Sequence, residues 1–195
     1  MSVAELHSPT LREWLRTQTR DRHKQVDAVF SALFSGGYRG YARFLTAHAI
    51  AGPALASTIH AHSDLPFATQ FAPEPLSAFL KRDLEALGFP LPAPATAPAP
   101  LSRDAALGAA YTLAGSRLGA KFMDRQWRNS KTDTFESTYL SAEALFGDWQ
   151  AFCVYLSGIS PHQTDFNTVR KGALTAFDCF DAAATLATET IACHD

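Results

Sequence analysis

Residues 108–123 read GAAYTLAGSRLGAKFM, a helical stretch that holds three glycines. Steps of three and four place Gly108, Tyr111, Gly115, Gly119 and Phe122 on one stripe of that helix. Glycine in a helix interior costs about 0.8–1 kcal/mol relative to alanine, so three on one face require a reason. One is close contact with another helix, the usual meaning of small residues four apart. The other is a flat ligand pressed against the backbone, with no room for a Cβ. The spacing leaves both open, helix packing being the commoner.

The stretch belongs to a helix predicted over 102–127, with Ser102 as its N-cap. Helical periodicity extends on both sides. A first helix opens at Ser8-Pro9 and ends at Gly36-Gly37, with Leu11, Trp14, Leu15, Val26, Val29, Phe30 and Leu33 inward. A second covers 38–62, with Tyr41, Phe44, Leu45, His48, Leu55 and Ile59 inward and a kink at Pro53. A third runs over 74–87 and stops at Gly88. FPLPAPATAPAP, residues 89–100, cannot be helix and reads as an extended connector. NSKTDTFES, residues 129–137, is loop-like; helices follow over 138–158, broken near Gly147, and over 161–193. No period-2 alternation and no Asn-Gly or Asp-Gly hairpin turn occurs. The expectation is an all-α bundle, one domain over 1–195, because neither side of the connector holds a core of its own.

Charge and cysteine content narrow the function. Seventeen Lys+Arg against nineteen Asp+Glu give a net charge of −2, which argues against nucleic acid or an anionic membrane as partner. The longest apolar-rich stretch, AHAIAGPALAST, is too short to cross a membrane. The N-terminal MSVAELHSPTLREWLR is too polar for a signal peptide. Cys153, Cys179 and Cys193 are odd in number and lack CxxC spacing, so a disulfide framework is not expected and a cytoplasmic location is. Cys153 and Cys179 sit in apolar helical runs and read as core residues.

A second stretch raises the chemistry. In TRDRHKQVD, residues 19–27, the stripe Leu15, Thr19, His23, Val26, Phe30 faces inward, while Arg20, Asp21 and Lys24 fall on the outer face. A lone inward histidine most often bonds a backbone carbonyl; the sharper reading is a metal ligand. His48, His60, His62 and His162 form no HxxxH or ExxH array with it. A porphyrin supplying the other ligands is then the simplest metal arrangement. A haem would fit between an imidazole on one helix and bare backbone on the other.

Thr19, His23 and Asp27, followed by Tyr111, Gly115, Ser116, Leu118, Gly119 and Ala120, resemble the two haem-contacting motifs of the bacterial haem oxygenases. The resemblance is to the branch with phytochrome-associated and iron-acquisition enzymes. It extends to YARFLTAH (41–48), DLEALG (83–88), DWQAF (148–152) and KGALTAFDCF (171–180). It implies an all-α, single-domain bundle holding haem between the first, proximal helix and a glycine-rich, kinked distal helix. Haem b would be both cofactor and substrate, opened to biliverdin with release of CO and iron. By motif match, His23 would be the axial metal ligand. Gly115, Ser116 and Gly119 would form the catalytic distal wall. Arg16, Thr19, Tyr111 and Ala120 would join them in holding the cofactor, Arg16 and Tyr111 toward the propionates. Electrons would come from a ferredoxin- or flavodoxin-type reductase, since no flavin, iron–sulfur or nicotinamide motif occurs. A phytochrome is a candidate acceptor of the biliverdin.

Some positions depart from the pattern. Ala114 stands where some relatives carry an acid, and Ala51-Gly52 where others carry a histidine, with His48 one turn earlier. Arg117 and Lys121 read as solvated surface charges, or else as contacts to propionates or a redox partner. Competing readings are a non-catalytic haem carrier or sensor of the same fold, a thiamine-degrading-type hydrolase with a cysteine nucleophile, and a purely structural bundle.

Overall fold

Thr10, rather than Ser8, caps the first helix. The computed structural model describes residues 8–98, 101–129, 136–143 and 145–193. Thr10 accepts from the Glu13 amide, and the Glu13 carboxylate accepts from the Thr10 amide. This reciprocal cap satisfies two free donors. Helix α1 (Leu11–Gln18) then stops at Thr19 and α2 (Arg20–Phe34) begins. The single first helix of the sequence reading is therefore two. Thr19 is buried, and both its amide and its hydroxyl donate to the Leu15 carbonyl, at 2.9 and 2.8 Å. Such back-bonding lets a threonine end one helix and start another. The inner stripe survives the break in Leu11, Leu15, Thr19, Val26 and Phe30; Val29, expected inward, is 38% exposed at its margin.

Helix α3 (Gly37–His60) is the buried centre, packed against α2, α4, α5 and α8. Pro53 lies in its interior and has no N–H for the helix ladder. Close to it the Ile50 carbonyl accepts from the Ala95 amide at 2.8 Å, so the extended connector docks beside the proline. Pro73 opens α4 (Pro73–Ala86), and Gly88, at φ +82°, turns the chain after it. Residues 89–98 are extended, as the proline spacing requires. Two residues of the expected 89–100 connector, most of the 129–137 loop, and residues 1–7 lie outside the described residues.

Helix α5 (Arg103–Asn129) runs continuously through the glycine stretch and lies along α8 (Phe166–Ala192). The helix expected over 138–158 is two: α6 (Thr138–Ser141) and α7 (Trp149–Ser157). Phe146 and Gly147, at φ +63° and +68°, turn the chain between them. The bundle is all-α, with no strand among the described residues. Arg22 ties α2 to α8 through Asp178 at 2.7 Å and Asp181 at 2.6 Å. These contacts leave α1–α2 facing α5 across a cleft.

Candidate functional site

The cleft has two connected parts that share His23, Thr112, Gly115, Leu118 and Phe177. The inner part, about 350 Å³, is walled by aliphatic and aromatic groups such as Val26, Phe30, Phe44, Met123 and Phe180. The outer part, about 400 Å³, is edged by Arg12, Arg16, Arg20 and Lys24, with Tyr111 and Trp149 opposite. No carboxylate lines the outer part among the described residues. Arg20 and Lys24, expected on the outer face, are exposed and edge the mouth of the cleft.

His23 stands at the junction, its side chain half exposed, edge-on to Phe177 at 5.8 Å. Its Nδ1–H donates to Asp27 at 2.8 Å, one helical turn on. That bond fixes the ring orientation and leaves Nε2 for another partner. Among the described residues, no three His, Cys, Asp or Glu side chains cluster as a metal site. A metal at His23 would take its other ligands from a bound molecule.

The facing wall belongs to α5. A Cβ built on Gly119 meets nothing within 4 Å, and one on Gly115 meets only Trp149, at 3.7 Å. Both glycines line the inner cavity, with Ser116 and Ala120 between and beside them. The Ser116 hydroxyl donates to the Leu113 carbonyl at 2.7 Å, which leaves its lone pairs free to accept. Gly108 is different: a Cβ there would lie 2.7 Å from the Ala173 amide nitrogen and closer still to the Val169 carbonyl oxygen. Of the three glycines on the stripe, one serves helix packing and two border a cavity.

Arg16, Thr19 and Tyr111 line the outer part. Tyr111 lies close to the Thr19 side chain, and burial pushes its phenol up despite nearby Arg12 and Arg16. All the candidate residues thus border one space. Arg117 does not: it is buried on the far side of α5, contrary to the solvated or propionate-facing reading. Lys121 is exposed.

Two residues gain roles the sequence reading did not assign. Asp27 belongs to the sequence motif without a role of its own there, and in the structure it orients His23. His48 had been read as core one turn before the departing Ala51-Gly52; Gly52 packs on Leu76 instead, and it is His48 that lines the inner cavity. The His48 Nδ1–H donates to the Phe44 carbonyl at 2.9 Å, leaving Nε2 as the acceptor. Burial, with a contribution from Arg117, lowers its pKa to about 4, so the ring is neutral at pH 7. Its signal in the sequence was the helical step from Phe44 to His48. Burial pushes the thiols of Cys153 and Cys179 up, a poor setting for a nucleophile.

No protein-family model matches the sequence, and no curated protein does. The structure is similar to that of the NO- and CO-bound heme oxygenase from Neisseria meningitidis, with a TM-score of 0.66 and 20% identity, over 95% of this chain and 94% of the other. That likeness establishes an all-α fold of the heme oxygenase type.

Proposed function

We propose that the chain is a haem oxygenase: it binds haem b in this cleft through His23 and opens the macrocycle to biliverdin, releasing CO and iron. One observation carries the reading. An oriented imidazole faces a helix wall opened by Gly115 and Gly119 across a slot that is mainly apolar inside and cationic at its rim. A flat, apolar metal macrocycle with carboxylates on one edge matches that slot in shape, polarity and ligand chemistry. The fold likeness supports the same reading.

Bound haem would supply the iron that activates dioxygen; the protein's part is binding, orientation and water control. His23 Nε2 would hold the metal while Asp27 keeps the ring turned toward it. Arg16 and Tyr111, joined by Arg12, would hold the propionates at the outer rim, with buried Thr19 beside Tyr111. Gly115 and Gly119 would let the α5 backbone approach the distal face, with Ala120 beside them. Phe30, Phe44 and Phe180 exclude bulk water from the inner end. There Ser116 and neutral His48 offer hydrogen-bond acceptors, so an ordered water can be held without a carboxylate at position 114. Electrons would come from a ferredoxin- or flavodoxin-type donor, and a phytochrome is a candidate taker of the product. No helix among the described residues is long and apolar enough to cross a membrane.

Titration with ferric haem, followed by reductant and oxygen, tests both halves. The expected result is a stoichiometric Soret band that is lost as a bilin forms, identified by chromatography. A band that persists without bilin favours a carrier or sensor. In His23→Ala the haem dissociation constant should rise by at least about tenfold, roughly 1.4 kcal/mol, and the coordinated spectrum should vanish. An unaltered spectrum would remove His23 as the ligand.

A further inference from the structure

Arg117 follows Ser116 in the cavity wall but points away from the cavity. It is 7% exposed, and its Nη2 donates to the carbonyls of Tyr139, Leu140 and Ala142 at 3.0, 3.1 and 3.0 Å. Its guanidinium carbon lies 4.9 Å from the centre of the Tyr139 ring. Nε and Nη1 are buried without a hydrogen-bond partner, and no carboxylate pairs with it among the described residues. A buried cation without compensation is costly, and here the compensation comes through α6.

The three carbonyls are at the C-terminal end of that helix, where peptide dipoles place partial negative charge. At its other end is Asp83, 1% exposed. Asp83 accepts from the amides of Thr138 and Tyr139, both at 3.0 Å, and from the hydroxyls of Tyr41, Ser137 and Thr138. A buried carboxylate on α4, the four residues of α6 and a buried guanidinium on α5 therefore stand in series, each end of α6 facing the charge its dipole favours.

We propose that Arg117 and Asp83 are positioning residues, and that this series is a strut fixing the height of the Gly115–Gly119 wall over the cavity. Between the glycines, Ser116 and Leu118 border the cavity and Arg117 alone reaches back into the bundle. A Cβ on Gly119 would meet nothing within 4 Å and one on Gly115 only Trp149, so on the cavity side little packs against this stretch of α5, and Arg117 holds it from behind. The inference of a strut is independent of haem; its consequence for catalysis rests on the reading above.

Hydrogen exchange on the ligand-free protein tests the strut. In Arg117→Met and Asp83→Asn, amides 115–120 should exchange at least about tenfold faster while α8 stays protected. Arg117→Lys, which keeps the charge and three donors, should recover much of the protection. Arg22→Met, which breaks the separate α2–α8 ion pair, should leave amides 115–120 unaltered. If Arg117→Met does not fold, Asp83→Asn and Arg117→Lys carry the test. Unaltered exchange in the folded variants, or a rise shared by every helix, overturns the strut. A second arm loads the same variants with haem: the dissociation constant should stay within about threefold of wild type while bilin formation falls at least about tenfold. Parallel losses of binding and turnover would overturn the positioning role. Failure of the wild type to bind haem would instead sink the oxygenase reading and leave the exchange result intact.

Discussion

Helix α5 uses the same residue for opposite purposes in its two halves. At the N-terminal end Gly108 lets the α8 backbone in, and α8 replies with Gly172, where a Cβ would come within 2.7 Å of the Ala105 Cα. Two helices meet backbone to backbone because neither carries a side chain there. Two turns on, a Cβ on Gly115 would meet only the edge of Trp149 at van der Waals distance, and one on Gly119 would meet nothing within 4 Å. An absent side chain stabilises the first half by permitting contact and weakens the second by forgoing helix propensity and burial. The cost in the second half is what a ligand-binding wall would repay.

The largest effect should come from the packed half. Gly108→Ala or Gly172→Ala forces a methyl into backbone that cannot rotate aside. Overpacking of a core costs about 1–3 kcal/mol and occasionally more; contact with backbone on both helices puts these variants at or above about 3 kcal/mol. Urea unfolding of the ligand-free protein measures it. A loss below about 1 kcal/mol would mean that the helices slide apart freely, and the distinction between the halves would weaken.

The cavity half should also carry a pH dependence. His48 has its pKa lowered from 6.5 to about 4, mainly by burial. Below pH 6.5 the unfolded chain binds the proton and the folded chain does not, so stability falls as pH drops from about 6.5 to about 4. The full drop for this group is roughly 3 kcal/mol. In His48→Leu that part of the slope should disappear, measured as urea midpoints between pH 4 and 7. An identical slope in the variant would show that other groups set it.

The unequal legibility of the two halves has a physical cause. Helix periodicity is a local property, so the all-α class, the break near Gly147 and the inward stripe through Leu15, Thr19, Val26 and Phe30 could be read in the sequence. The purpose of a glycine is not local. Gly108 and Gly119 look alike until α8 is seen to lie against one and not the other. Arg117 was misread for the same reason: an arginine beside Lys121 looks solvated, and its acceptors are carbonyls more than twenty residues away. Thr19 as a break between helices was hidden because the stripe runs through it without a change of phase. The resemblance to haem oxygenases singled out Gly115 and Gly119 from Gly108, which spacing could not do.

The smallest effect on stability, and the sharpest contrast of sign, belongs to Gly119→Ala. A Cβ there has open space within 4 Å, so the methyl meets no steric penalty and the helix gains alanine's propensity. The ligand-free protein should become more stable by about 0.5–1 kcal/mol, against the loss expected at Gly108. On the proposed function the same methyl intrudes on the face of the macrocycle, and the haem dissociation constant should rise at least about tenfold. Stability and affinity then move in opposite directions from one atom, which a purely structural glycine cannot produce. If Gly119→Ala destabilised the ligand-free protein, the open wall would be wrong. If it left haem affinity unaltered, the macrocycle would not lie against Gly119, and the reason for bare backbone in this half of α5 would have to be sought elsewhere.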